Sequence, residues 1–183
     1  MGLTYIASVT ASASATVSFT SGIDATYNEY QFHMVNMHPA TDSANFQFQV
    51  NASDDTGGGF DESLITSTAF EAFHGESSTD DTLLQYRTPW DLAQEALYQS
   101  LVGSGCSNDD DHGMSGVLTL YDPASTTYAK HFTARTMNST GSDYATDSYI
   151  AGYINQPLAI PEISFKFHSG NINAGTIHMY GVG

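Results

Sequence analysis

The stretch Asn45-Phe46-Gln47-Phe48-Gln49-Val50 decides how this chain is read. Apolar and polar residues alternate in it without a break. Successive side chains of an extended strand point to opposite faces, so Phe46, Phe48 and Val50 share one face and Asn45, Gln47 and Gln49 the other. A strand with one greasy and one wet face is half-buried, packed on a second layer. Working outward, the same period of two returns in Ala15-Thr16-Val17-Ser18-Phe19, from Tyr128 to Thr136, and in Ile163, Phe165 and Phe167 against Ser164, Lys166 and His168. Val117-Leu118-Thr119-Leu120-Tyr121 and the run from Tyr149 to Ile154 read as strands stopped by Asp122-Pro123 and Asn155-Gln156-Pro157. A last strand runs from Thr176 to Gly181, after a turn at Ser169-Gly170-Asn171. Between Tyr30 and Met37, Tyr30, Phe32 and Met34 share one face and His33, Val35 and Met37 the other. Both faces read as covered, which places this strand centrally in a sheet.

Short strands between Gly, Asn, Asp, Ser and Pro clusters predict an all-β fold: an antiparallel, jelly-roll-like β-sandwich, one domain over residues 1–183. One segment competes. Thr88-Pro89-Trp90-Asp91 offers an N-cap Thr, a Pro at the first helical position and an acid three residues after the cap. Leu92, Ala93, Ala96, Leu97 and Leu101 follow at helical spacing, predicting one short helix across an end of the sandwich. Residues 51–61, with Gly57-Gly58-Gly59, and 104–116 read as surface loops. No internal repeat is visible.

The chain has 183 residues, 40% of them hydrophobic, enough to fill a core. Four Lys and Arg face twenty Asp and Glu, for a formal net charge of −16. Such a surface repels nucleic-acid phosphates and anionic membranes. No apolar run is long enough to span a bilayer. The start, Met1 to Tyr5, lacks a basic, then apolar, leader, so synthesis in a cytoplasm and release by lysis are expected. Cys106 has no partner for an intrachain disulfide. Placed in a loop beside acids, its thiol is expected to be poorly ionised and inert.

The candidate chemistry is thin. None of the seven histidines (His33, His38, His74, His112, His131, His168, His178) follows a zinc-binding spacing. His131, His168 and His178 sit on separate strands and could meet only through the fold. Asn108-Asp109-Asp110-Asp111-His112-Gly113 outlines a calcium loop. His112, however, stands where an oxygen donor belongs and no closing Glu follows, so a solvated acidic loop is the simpler reading. Asp54-Asp55 and Asp80-Asp81 are weaker versions of it. No G-x-S-x-G elbow marks a nucleophile. The expectation is a protein that is not an enzyme, with no catalytic, cofactor or metal residues. Trp90 with Tyr86, Tyr98 and Tyr121 is a candidate sugar-stacking platform, set against the expectation that a Trp beside Pro89 packs in the core.

Longer motifs carry a resemblance. They are Ser18-Phe19-Thr20-Ser21-Gly22-Ile23-Asp24, Tyr27-Asn28-Glu29-Tyr30 and Asn36-Met37-His38-Pro39-Ala40-Thr41-Asp42 in the first part. The second part has Leu118-Thr119-Leu120-Tyr121-Asp122-Pro123, Thr126-Thr127-Tyr128-Ala129-Lys130-His131-Phe132, Ala151-Gly152-Tyr153-Ile154-Asn155, Phe165-Lys166-Phe167 with Ser169-Gly170-Asn171-Ile172, and Gly175-Thr176-Ile177-His178-Met179-Tyr180-Gly181-Val182. Together they resemble a structural-protein module of marine tailed bacteriophages found in capsid decorations, spikes and tail fibres. The resemblance implies a jelly-roll-like sandwich, usually oligomeric, on the virion surface. No shaft or coiled-coil heptad precedes the module here, which favours a compact decoration or spike. The expected partners are further copies of the chain, as a homotrimer, and other virion proteins such as the major capsid or tail protein. The alternative is a carbohydrate-binding module that attaches to a host surface glycan.

Overall fold

Phe46, Phe48 and Val50 are fully buried on an interior strand of a small sheet that packs against a larger one. The computed structural model describes residues 2–53, 59–60 and 63–183. In chain order the strands are β1 (Leu3–Thr10), β2 (Val17–Phe19), β3 (Glu29–Pro39), β4 (Phe46–Asn51), β5 (Ile65–Gly75), β6 (Thr82–Tyr86), β7 (Ala93–Glu95), β8 (Gln99–Ser100), β9 (Met114–Tyr121), β10 (Lys130–Ser139), β11 (Tyr144–Ile154), β12 (Glu162–Phe167) and β13 (Ile172–Val182). The nine-stranded sheet runs β1-β13-β3-β9-β10-β11-β5-β6, with β7 also pairing β5; the four-stranded sheet runs β2-β12-β4-β8. Every named pairing is antiparallel. The fold is the expected antiparallel sandwich, with layers of unequal width.

The inward faces meet through rings. Phe32 lies 5.7 Å from Phe165 and 5.6 Å from Phe19, and Phe48 lies 5.1 Å from Phe132. Each fully buried Phe contributes about 1.5–3 kcal/mol of transfer free energy. The small sheet covers only part of the large one. The segment 99–107 covers more: Leu101, Val102 and Cys106 are buried, and Ala44 and Cys106 exchange backbone hydrogen bonds.

Three expectations are corrected. The helix does not form; among the described residues there is no α-helix. A single 3-10 turn spans Thr88–Trp90, and the chain then enters β7 and β8. No side chain caps that turn. The Asp91 carboxylate instead accepts the Ala69 N–H and the Tyr86 hydroxyl, and Gln94 takes a positive φ of 59° that a right-handed helix cannot hold. Ladder pairing to β4 and β5 outweighs local helix preference here. Second, Met37 is buried on the same side as Met34 rather than opposite it. Asn36 (φ 49°) sits in a bulge between Met34 and Met37 that adds a residue and resets the alternation. Val35 is 44% exposed, so the outer face of β3 is not covered. Third, residues 104–116 are not simply a surface loop. Cys106 and Ser107 are buried, and β9 begins at Met114. Of the 51–61 loop, 54–58 and 61 lie outside the described residues, and with them Asp54-Asp55.

Candidate interaction face

Most inward positions of the large sheet are packed, and its outward side chains form the candidate face. Register carries one row of outward side chains across the whole sheet. Tyr86 (β6) stands opposite Phe70 (β5), Phe70 opposite Tyr149 (β11), and Tyr149 opposite Arg135 (β10). The row continues through Val117 (β9), His33 (β3) and His178 (β13) to Ser8 (β1). Phe70 and Tyr149 stack 4.9 Å apart with an interplanar angle of 2°. The Arg135 guanidinium lies 5.1 Å from the Tyr149 ring and pairs with Asp147 through two bonds of 2.9 and 3.1 Å. Neighbouring rows add Leu84 and Met137 on one side and Tyr5 and Tyr180, 5.9 Å apart, on the other. Phe70, Leu84, Tyr86, Met137 and Tyr5 are all exposed.

This face is nearly free of net charge. Within the eight strands of its ladder it carries one fixed cation, Arg135, and two acids, Asp147 and Glu29. Exposed acids gather instead on connections and rims: Asp24, Asp42, Glu76, Asp81, Asp109 to Asp111, Asp122 and Asp143. Toward the β1 edge of the face His33 and His178 are directly opposed. Partial burial, then the neighbouring His178, hold the His33 imidazole below its ordinary value.

The sequence-derived candidates scatter. Trp90 is buried, with the Arg87 guanidinium 4.1 Å from its ring centroid. Tyr98 lies under the Lys166 ammonium at 4.0 Å, beside a cleft of about 470 Å³ that Trp90 and Leu97 also line. Tyr86 and Tyr121 are on the outer face of the large sheet. The four aromatics therefore form no shared platform. His131 and His178 lie on the outer face, while His168 accepts the Asn45 N–H beside the small sheet. In the acidic loop, Asp109 turns back to accept the Ser107 hydroxyl, and Asp110 and Asp111 face solvent. Among the described residues no three His, Cys, Asp or Glu side chains are grouped to hold a metal ion. Asp80 binds back to the Ser77 N–H.

Two buried charges escaped the sequence reading. Glu71, fully buried on the inward face of β5, lies 3.3 Å from Arg87 and accepts from Gln85 at 2.8 Å. Lys130 is equally buried; its ammonium donates to the Tyr128 and Gln156 carbonyls at 2.8 and 2.9 Å, and desolvation holds it below its ordinary value. Glu71 holds Arg87, just past the end of β6, and Lys130 holds the backbone at Tyr128 and Gln156. The alternation of Ile65, Ser67, Ala69, Glu71 and Phe73 was the available signal for β5, masked by the acid among apolar residues. No protein-family model, curated protein or solved structure matches the chain.

Proposed function

We propose that this chain is a non-enzymatic structural subunit, an outer decoration or spike of a tailed-phage particle, that works by self-assembly through the outer face of its large sheet. The observation that carries the reading is a broad, aromatic, nearly uncharged face on a chain of net charge −16. Identical acidic copies repel at their rims, and an aromatic face with few acids is where they can meet. The virion setting rests on the motif resemblance. Trp90 is buried, and Tyr86, Tyr98 and Tyr121 do not gather around it, so the glycan alternative loses the aromatic platform on which it rested. Light scattering on the wild type and on Phe70→Asp and Met137→Asp tests the reading. Wild type should exceed the 19.6 kDa monomer mass, and both variants should fall toward it. A wild type that stays monomeric yet is retained on immobilised polysaccharide would favour glycan attachment instead.

A further inference from the structure

The edges of the two sheets are not equally protected. A free edge exposes a row of unpaired N–H and C=O groups and invites another strand, so edges are normally shortened, bulged or charged. The small sheet ends in β2 and β8, of three and two residues. At one edge of the large sheet β1 carries a register shift between Tyr5 and Ala7. β7 is three residues long and contains the left-handed Gln94. β6, at the opposite edge, has none of these devices. Thr82-Leu83-Leu84-Gln85-Tyr86 is uncharged, lacks Pro, and pairs β5 in unbroken register from Phe70↔Tyr86 to His74↔Thr82. Its apolar side chains stand out on both faces: Leu83 is 49%, Leu84 69% and Tyr86 59% exposed.

We propose that the β6 edge is a two-fold pairing site for a second copy of this chain, an inference that rests on the self-assembly reading and adds a contact distinct from the sheet face. Backbone direction supports it. The Arg87 N–H bonds to the Ala69 carbonyl. Antiparallel pairing alternates, so Thr82, Leu84 and Tyr86 turn their N–H and C=O groups to the open edge. A two-fold axis at Leu84 then sets Leu84 opposite Leu84, Thr82 opposite Tyr86 and Leu83 opposite Gln85, with every outward backbone group of β6 paired. The same register sets Asp81 of one copy opposite Arg87 of the other. Asp81 is exposed, and the Arg87 side chain keeps 27% of its surface. Opposite charges facing each other across strands favour this register over its neighbours. The contact is isologous and joins copies in pairs; three-fold closure would need a separate heterologous surface.

Oxidative cross-linking of the full chain tests the proposal. Directly opposite residues in a hydrogen-bonded antiparallel pair have Cα atoms about 5.5 Å apart, within disulfide reach. Leu84→Cys should give a covalent dimer reversed by thiol, while Leu97→Cys, 57% exposed but off this edge, should not. The buried Cys106 does not compete. Leu84→Pro removes a donor aimed at the partner, keeps an apolar side chain and breaks no hydrogen bond to β5, and should weaken pairing about tenfold while the circular dichroism spectrum stays β-type. Leu83→Lys, which leaves the backbone untouched and lies on the side of β6 away from the outer face, should weaken it in the same direction. Leu84→Cys that dimerises no faster than Leu97→Cys, in a chain whose assembly Leu84→Pro and Leu83→Lys leave intact, would overturn the edge site and leave the assembly reading standing. A wild type monomeric at every concentration would remove both.

Discussion

Cys106 shows what burial does to a reactive group. The thiol is fully buried, and desolvation pushes its pKa up to about 12. The folded chain should therefore resist a thiol-specific disulfide reagent at pH 8, and label fully once unfolded in guanidinium. Rapid labelling of the folded chain would contradict this packing. Glu71 and Arg87 pose the opposite case, a charge kept inside by a partner. Glu71→Ala leaves the mostly covered guanidinium without its carboxylate and should cost about 2–4 kcal/mol, below the full buried-pair value because Arg87 remains partly wet and keeps the Gly103 carbonyl. Urea denaturation reads that loss. His33 links the face to pH. Its folded pKa lies below the ordinary 6.5, so the unfolded chain binds its proton first as pH falls. Stability from this group is whole above about pH 6.5, declines below it, and levels off once pH passes the folded value. His33→Gln should flatten that part of the pH dependence of thermal unfolding.

At the scale of elements, legibility in the sequence followed side-chain contrast. β4 and β12 are plain because their apolar residues alternate without exception. β5 is not, because Glu71 occupies an inward position, and β6 is not, because both of its faces are wet and no contrast remains to read. The helix expected after Thr88 failed because tertiary partners on β4 and β5 claimed its residues. The bulge in β3 was hidden for another reason, since an inserted residue changes geometry without changing composition. It makes its own prediction. Gly175 (φ 122°) faces Asn36, and a Cβ there would lie 2.7 Å from the Asn36 carbonyl oxygen and 2.8 Å from the Met37 Cα. Gly175→Ala should thus destabilise by about 1–3 kcal/mol, through strain in φ and this clash together. Asn36→Gly should be close to neutral in the same unfolding assay, because glycine also accepts the left-handed conformation.

At the scale of the molecule, the face assembles from eight strands spread over the chain, and only register brings Tyr86, Phe70, Tyr149 and Arg135 into one row. Each residue reads in the sequence as an ordinary solvent-side position; their sum does not. Acidic rims predict a salt dependence. Copies of net charge −16 should associate less at about 20 mM than at about 300 mM sodium chloride, where the screening length is shorter, and sedimentation across that series measures it. The most direct test is hydroxyl-radical footprinting of the intact chain from dilute to concentrated solution. If copies meet on the large sheet, Phe70, Tyr86, Met137 and Tyr149 lose reactivity as concentration rises, while Tyr128, 68% exposed on the connection before β10, keeps its own. Unchanged reactivity at Phe70, Met137 and Tyr149 across the whole range would contradict the account.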